Sequence, residues 1–269
     1  MKTVIFCGGK GTRMREETEY RPKPMVPIGN RPILWHIMKV YAAQGHKDFV
    51  LCLGYKGEMI REYFRNYHWN SGDVTLKLGR DPKAVHHDNH GEEDWSVTLA
   101  DTGEESGTCT RLRQVERHLG SEKEFLLTYG DGVGNIPVEK VVEAHRQAGK
   151  IITVTAVHPP GRFGSLNLKA DGAVGGFDEK PQTEVGWING GFFVVSREIF
   201  KHLGKYPDVM FERGPLQDLA KAGQLHAYRH EGFWHAMDSG RDHQVLNDLW
   251  ATGRSPWSVW AAPKLRVAA

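Results

Sequence analysis

The chain has 269 residues, 39% of them hydrophobic and 25% charged, enough to enclose a large core with the composition of a water-soluble globular protein. Its formal net charge of +2 excludes the broad basic field of a nucleic-acid binder, and no apolar run approaches the length of a membrane span, so neither nucleic acid nor membrane is expected as a partner. Cys7, Cys52 and Cys109 are odd in number and widely spaced, which points to reduced thiols; with no leader pattern before the first strand, a cytoplasmic location is expected.

In chain order, the first predicted element is a short apolar strand, Thr3–Cys7, running into Gly8-Gly9-Lys10-Gly11-Thr12-Arg13. A helix is expected over about Pro32–Gln44, with Ile33, Leu34, Ile37, Met38 and Tyr41 on its apolar face and Gly45 at its end. Asp48–Gly54 reads as a buried strand and Glu58–Tyr67 as a helix. Residues 80–95 are polar, acidic and histidine-rich, and are expected to form a mobile loop or an excursion toward another subunit. Cys109 falls in a polar loop where it could be exposed, and nothing nearby marks it as a nucleophile. Phe125–Thr128 is a strand ending at Tyr129-Gly130-Asp131, followed by a helix over Val138–Gln147 and a strand over Ile151–Val157. Ser165–Asp178 resembles a hairpin turning at Ala170-Asp171-Gly172, Gly191–Val195 is a further strand, and Asp242–Thr252 is the last helix. The βαβ rhythm predicts an α/β fold: a mixed, mostly parallel Rossmann-like sheet with helices on both faces and small β excursions, in one domain over residues 1–269.

Glycines directly after a buried strand let the backbone turn sharply and present free N–H groups to phosphate oxygens. Lys10, Arg13 and Lys23, the last within Arg21-Pro22-Lys23-Pro24, add positive charge near the same loop. A Walker A loop would need Gly-Lys followed by Ser or Thr, and a Rossmann fingerprint a third glycine or alanine; Lys10-Gly11-Thr12-Arg13-Met14 meets neither pattern. Ligands of open α/β sheets bind beyond the carboxyl ends of strands, so the glycine loop and Asp131 are expected to face one cleft. The bland alternative is a glycine-rich turn without a ligand. His86, His87 and His90 with Asp88 offer metal-ligand residue types, but the segment lacks a helical pattern and reads as solvated loop histidines.

These residues resemble the sugar-nucleotidyltransferase family. The Gly-Gly-x-Gly-Thr-Arg loop with Pro-Lys-Pro is its entry signature, and Tyr129-Gly130-Asp131-Gly132, Phe163-Gly164, Glu179-Lys180-Pro181, Ile188–Phe193, Phe233-Trp234 and Met237-Asp238 follow in order, so that the resemblance covers residue 1 to about 257. Pro32–Met38, Asp101-Thr102-Gly103, Pro159–Gly164 and Pro256-Trp257 resemble the branch that transfers cytidylyl groups to glucose 1-phosphate. Two segments depart from that branch. Phe211-Glu212-Arg213-Gly214-Pro215-Leu216 keeps one acid of a usual pair, and Asp238 is followed by Ser239 instead of Thr.

The resemblance implies a nucleotidyltransferase fold and attack by the phosphate of a hexose 1-phosphate on the α-phosphorus of CTP, expelling pyrophosphate with Mg²⁺ as cofactor. It implies that Gly8, Gly9, Gly11, Thr12, Arg13 and Gly130 hold the nucleotide, that Arg13 stabilises the leaving pyrophosphate, and that Lys23 sits at the α-phosphate. Lys180 would bind the sugar phosphate, and Asp131 and Asp238 the metal. Gly164, Glu179, Asn189 and Gly190 match hexose contacts. Thr108 and Arg111 match nucleotide contacts by spacing, although Arg111 reads equally well as a surface charge at a helix start. For the two aspartates the alternative is a strand-end turn, and for Lys180 a solvated charge before a proline. A homo-oligomer is expected. A uridylyl- or thymidylyltransferase, a cytidylyltransferase for a modified sugar, and a non-catalytic nucleotide-binding subunit are the competing functions.

Overall fold

A computed structural model of the chain describes residues 1–80, 82–87, 94–159, 165–168, 174–178 and 186–261, with 165–168 and 174–178 as backbone. Seven strands among them form the central sheet: β1 (Thr3–Phe6), β2 (Asp48–Leu53), β3 (Ser96–Asp101), β4 (Glu124–Tyr129), β5 (Ile152–Val157), β6 (Ile188–Ser196) and β7 (Leu225–His230). Their spatial order is β3-β2-β1-β4-β6-β5-β7. β1 pairs in parallel with both β2 and β4, β2 with β3, and β5 with β7, whereas β6 is antiparallel to both β4 and β5. The mixed, mostly parallel sheet read from the sequence is therefore the one observed.

The period-2 alternation of a strand sorts its side chains between two cores. Ile5, Phe49, Leu51, Leu126 and Val194 point into a core shared with the helices α1 (Ile33–Ala42), α4 (Val138–Ala148) and α7 (Gly240–Ala251). Val4, Val50, Phe125, Leu127 and Val195 point into the other, covered by α3 (Thr108–Gln114), α5 (Ile199–Leu203) and α6 (Pro215–Lys221). α2 (Gly57–Arg65) follows β2 and buries Ile60 in the first core. Truncating one of these fully buried residues, Leu51→Ala for instance, costs roughly 2–5 kcal/mol through lost transfer energy and the cavity left behind.

α1 is buried almost all round because a C-terminal aromatic cap covers its outer side. Trp257 is fully buried, and its indole N–H donates to Nδ1 of the buried His36 at 3.3 Å. The rings of Trp250 and Trp260 also pack against His36. Nε2 of His36 donates to the Ile28 carbonyl at 3.0 Å, and burial pushes the imidazole pKa down to about 4, so the ring is neutral at physiological pH.

Several sequence expectations need correction. Pro32 lies just outside the helix start, as the extended residue before Ile33, because it closes a two-residue strand paired with Pro27-Ile28. Cys109 is fully buried: it lies on the inner face of α3 and packs in the second core with Leu112. The 80–95 stretch contains a strand, Lys83–His86, paired antiparallel with Val74–Lys77 in an exposed hairpin. Asp88, His90, Glu92 and Glu93 lie outside the described residues. The expected hairpin Ser165–Asp178 is present as Ser165–Leu168 against Val174–Asp178, and its turn lies outside the described residues.

Candidate active site

β1 and β4 lie side by side in parallel, Phe6 opposite Tyr129, so the glycine loop and Gly130-Asp131 leave the sheet at the same edge. The Gly130 N–H donates to the Phe6 carbonyl at 3.0 Å. A Cβ on Gly130 would stand 2.8 Å from that oxygen and 2.8 Å from Pro24 Cγ, so only glycine fits between strand and proline. Gly11 takes a left-handed φ of +62° and starts the turn Thr12–Met14, which the Thr18 hydroxyl fastens by donating to the Gly11 and Met14 carbonyls. A cleft of about 290 Å³ opens here, lined among others by Cys7, Gly9, Thr12, Arg13, Lys23, Thr108 and Asp131. Larger hollows of about 490 and 370 Å³ lie along α4 and beside the edge strand β3, away from these strand ends.

The charged centre is a knot around the buried Lys23, with Arg13 on its exposed side. Lys23 Nζ donates to Asp131 Oδ2 at 2.7 Å and to Asp238 Oδ1 at 2.6 Å, and Arg13 Nη1 reaches Asp238 Oδ2 at 3.0 Å. Burial alone would lower the pKa of the Lys23 ammonium, but the two carboxylates outweigh it and hold the group above its usual range. Pro22 and Pro24 stiffen the backbone on both sides of Lys23, which aims its side chain inward.

A small antiparallel ribbon brings the two aspartates together across the chain. Gly132–Gly134 pairs with Trp234–Ala236, and the Met237 N–H donates to the Asp131 carbonyl at 2.8 Å. Asp238 is then fixed by the start of α7. Ser239 caps that helix, accepting from the Asp242 N–H at 3.2 Å, while Asp242 Oδ2 accepts from the Ser239 hydroxyl at 2.7 Å and the Asp238 N–H at 3.1 Å. Serine makes the cap that threonine would make, so this departure from the family pattern leaves the geometry intact.

Two carboxylates whose oxygens lie within 2.7 Å of one ammonium nitrogen are close enough to share one small cation, and carboxylate oxygens are the donors that Mg²⁺ prefers. Among the described residues no cluster of three or more metal-ligating side chains occurs. The pair therefore fits an ion that takes one or two protein carboxylates and completes its shell from substrate phosphate and water.

Arg111 is no surface charge. It is 3% exposed, and its guanidinium donates to the carbonyls of Gly8, Leu53, Gly103 and Glu104 at 2.8–3.1 Å and to the Thr102 hydroxyl at 2.8 Å. A Cβ on Gly8 or Gly54 would lie 2.2 or 2.4 Å from its Nη1. Arg111 thus pins the glycine loop from behind, through the Gly8 carbonyl. Burial pulls its pKa below the usual arginine value.

On the far side of the cleft, the Tyr129 hydroxyl donates to Glu212, whose other carboxylate oxygen accepts from Thr108 at 3.4 Å. Asn189 Nδ2 reaches the same tyrosine hydroxyl at 3.4 Å, and its Oδ1 accepts from the Gly191 N–H at 2.8 Å across an irregularity in β6. Gly190 offers its carbonyl to the Trp234 indole at 2.7 Å. The structure thus brings together Gly8, Gly9, Gly11, Thr12, Arg13, Lys23, Thr108, Gly130, Asp131, Asn189, Gly190 and Asp238. Gly164, Glu179 and Lys180 lie outside the described residues. Asp242, Tyr129 and Glu212 are the participants that sequence reasoning did not assign. Ser239-x-x-Asp242 carries a capping-box signature that marks the first of them.

A glycine loop and a cation–carboxylate knot meeting at the ends of two parallel strands are the parts an enzyme of phosphate chemistry uses. The nucleotidyl transferase family model matches residues 2–237, and the chain belongs to that family. It is 46% identical over 260 residues to glucose-1-phosphate cytidylyltransferase of Salmonella typhimurium, covering 97% of this chain and all of that protein. A probable glucose-1-phosphate cytidylyltransferase of Bacillus subtilis is 44% identical, again over 97% of this chain and all of the relative. Among solved structures, HddC from Yersinia pseudotuberculosis shares the fold with a TM-score of 0.66 at 21% identity, covering 93% of this chain and 99% of that one.

Proposed function

We propose that the chain transfers a cytidylyl group from CTP to glucose 1-phosphate, giving CDP-glucose and pyrophosphate. The observation that carries this reading is the knot of Lys23, Arg13, Asp131 and Asp238 against the glycine loop, together with full-length identity to cytidylyltransferases.

In the mechanism, a phosphate oxygen of the sugar phosphate forms a bond to the α-phosphorus of CTP while the bond from that phosphorus to the bridging α–β oxygen breaks. Pyrophosphate leaves with the electron pair, and no proton needs to move. The N–H groups of the glycine loop and Arg13 hold the leaving phosphates in place. Lys23 neutralises charge at the α-phosphate, Lys180 takes the sugar phosphate, and Asn189 and Gly190 meet hexose hydroxyls. Asp131 and Asp238 would hold Mg²⁺, which supplies charge neutralisation between the two repelling anions. Arg111 keeps the loop rigid, so the attack line is set before substrate arrives. The enzyme works as a cytoplasmic homo-oligomer in this reading.

A cytidylyltransferase for another hexose 1-phosphate is the second reading. Gly214 stands where related enzymes carry a second acid, and a Cβ there would already be 3.1 Å from the Tyr206 ring. Pyrophosphate release is the test, with CTP, UTP and dTTP each offered against a panel of hexose 1-phosphates, with and without EDTA. Highest turnover with CTP and glucose 1-phosphate, abolished by EDTA, supports the first reading. Preference for another sugar moves the assignment to the second, and CTP binding without turnover of any sugar phosphate refutes both.

A further inference from the structure

We infer that Lys23 is the resident counter-ion of the Asp131–Asp238 pair, and that a divalent cation enters only as Lys23 leaves, which couples metal loading to arrival of the triphosphate. This rests on the assignment of that pair to the metal.

Three of the four carboxylate oxygens of the pair already face a cation: Asp131 Oδ2 and Asp238 Oδ1 meet Lys23, and Asp238 Oδ2 meets Arg13. Among the described residues, two positive and two negative groups meet here, so these four balance one another. A divalent ion bridging the pair would sit where the ammonium now sits, and two cations at contact repel in a partly desolvated site. The same carboxylates therefore serve two alternative partners.

Lys23 is built to move. Among the described residues its head is held by the two aspartates alone, on a flexible four-carbon stem, and it lines the cleft shared with Gly9, Gly11 and Arg13. A triphosphate in that cleft offers several negative oxygens to both cations. As Lys23 and Arg13 turn to them, the carboxylates are released, and phosphate oxygens supply the ligands that the two aspartates lack. Metal and nucleotide then each raise the affinity for the other by the same factor.

The test is a titration with Mn²⁺, followed by electron paramagnetic resonance, on the full-length wild type, Lys23→Met, Lys23→Gln and Asp131→Asn, with circular dichroism confirming the fold of each. Without nucleotide, both Lys23 variants should bind Mn²⁺ at least about tenfold more tightly than wild type although they lose turnover, and Asp131→Asn should lose the binding. In wild type, CTP should tighten Mn²⁺ beyond the affinity of free CTP for Mn²⁺, and this gain should shrink in the Lys23 variants. Unchanged or weaker Mn²⁺ binding by folded Lys23 variants, with binding still lost in Asp131→Asn, overturns the exchange and leaves the metal assignment standing. Mn²⁺ binding indifferent to Asp131→Asn overturns both.

Discussion

Two buried cations flank the glycine loop, and they are satisfied in opposite ways. Lys23, in front, faces two carboxylates at 2.6 and 2.7 Å. Arg111, behind, spends its guanidinium on four backbone carbonyls and a hydroxyl, all neutral. A point charge on a flexible stem facing two anions can trade partners when stronger anions arrive. A planar fork spread over five acceptors cannot leave without giving up all of those bonds at once. The loop is thus rigid on one side and electrostatically switchable on the other.

Substitutions can break this contrast. The largest effect is expected at the exchangeable side. Asp131→Asn should cut turnover by about three orders of magnitude or more while the melting temperature moves little, since the charge acts on the transition state; pyrophosphate release beside a thermal melt measures both. Next comes the pin. Arg111→Met removes a charged donor from the Gly8, Leu53, Gly103 and Glu104 carbonyls, of which, among the described residues, only Gly8 and Leu53 keep a backbone N–H, from Tyr55 and Thr102, and should cost roughly 3 kcal/mol in chemical denaturation. Arg111→Lys, which cannot reproduce the fork, should recover only part of that loss. Gly54→Ala sharpens the same point from outside the cleft. Its Cβ would meet Arg111 at 2.4 Å, so denaturation should show a loss of about 1–3 kcal/mol although Gly54 itself does not line the cleft.

The smallest effect concerns Asp242, which holds Asp238 by its backbone. Partial burial alone would raise its pKa, but His235 and Ser239 outweigh it and pull it from 3.8 to about 2. The folded state thus keeps the carboxylate ionised below the value in the unfolded chain. Its contribution to stability is complete above pH 3.8 and fades as pH falls toward 2. Asp242→Asn should flatten the acid-side fall of the melting temperature within that window.

The front of the loop was legible in the sequence because it is local: strand, glycines, arginine and Pro-Lys-Pro lie within the first 24 residues. Asp131 was legible because an apolar strand runs straight into it. That Lys23 would sit between Asp131 and Asp238 was not, since the Gly132–Gly134 ribbon that joins them to Trp234–Ala236 has no local pattern. Arg111 misled because its partners are main-chain carbonyls of the glycine loop, the end of β2 and the segment before α3, which composition cannot reveal. β7, Leu-His-Ala-Tyr-Arg-His, was missed because an edge strand with one solvated face carries no apolar run.

Trp257 gives the cap on α1 a consequence for synthesis. Its indole reaches His36 across 221 residues, so the first helix emerges from the ribosome long before its cover exists. The nascent chain carries an open apolar face until Trp257 has been made, the situation in which long-range closure is slow and aggregation competes. A stop codon just upstream of Trp257 should therefore shift the product from the soluble fraction to the pellet, even though every residue that lines the cleft has already been made.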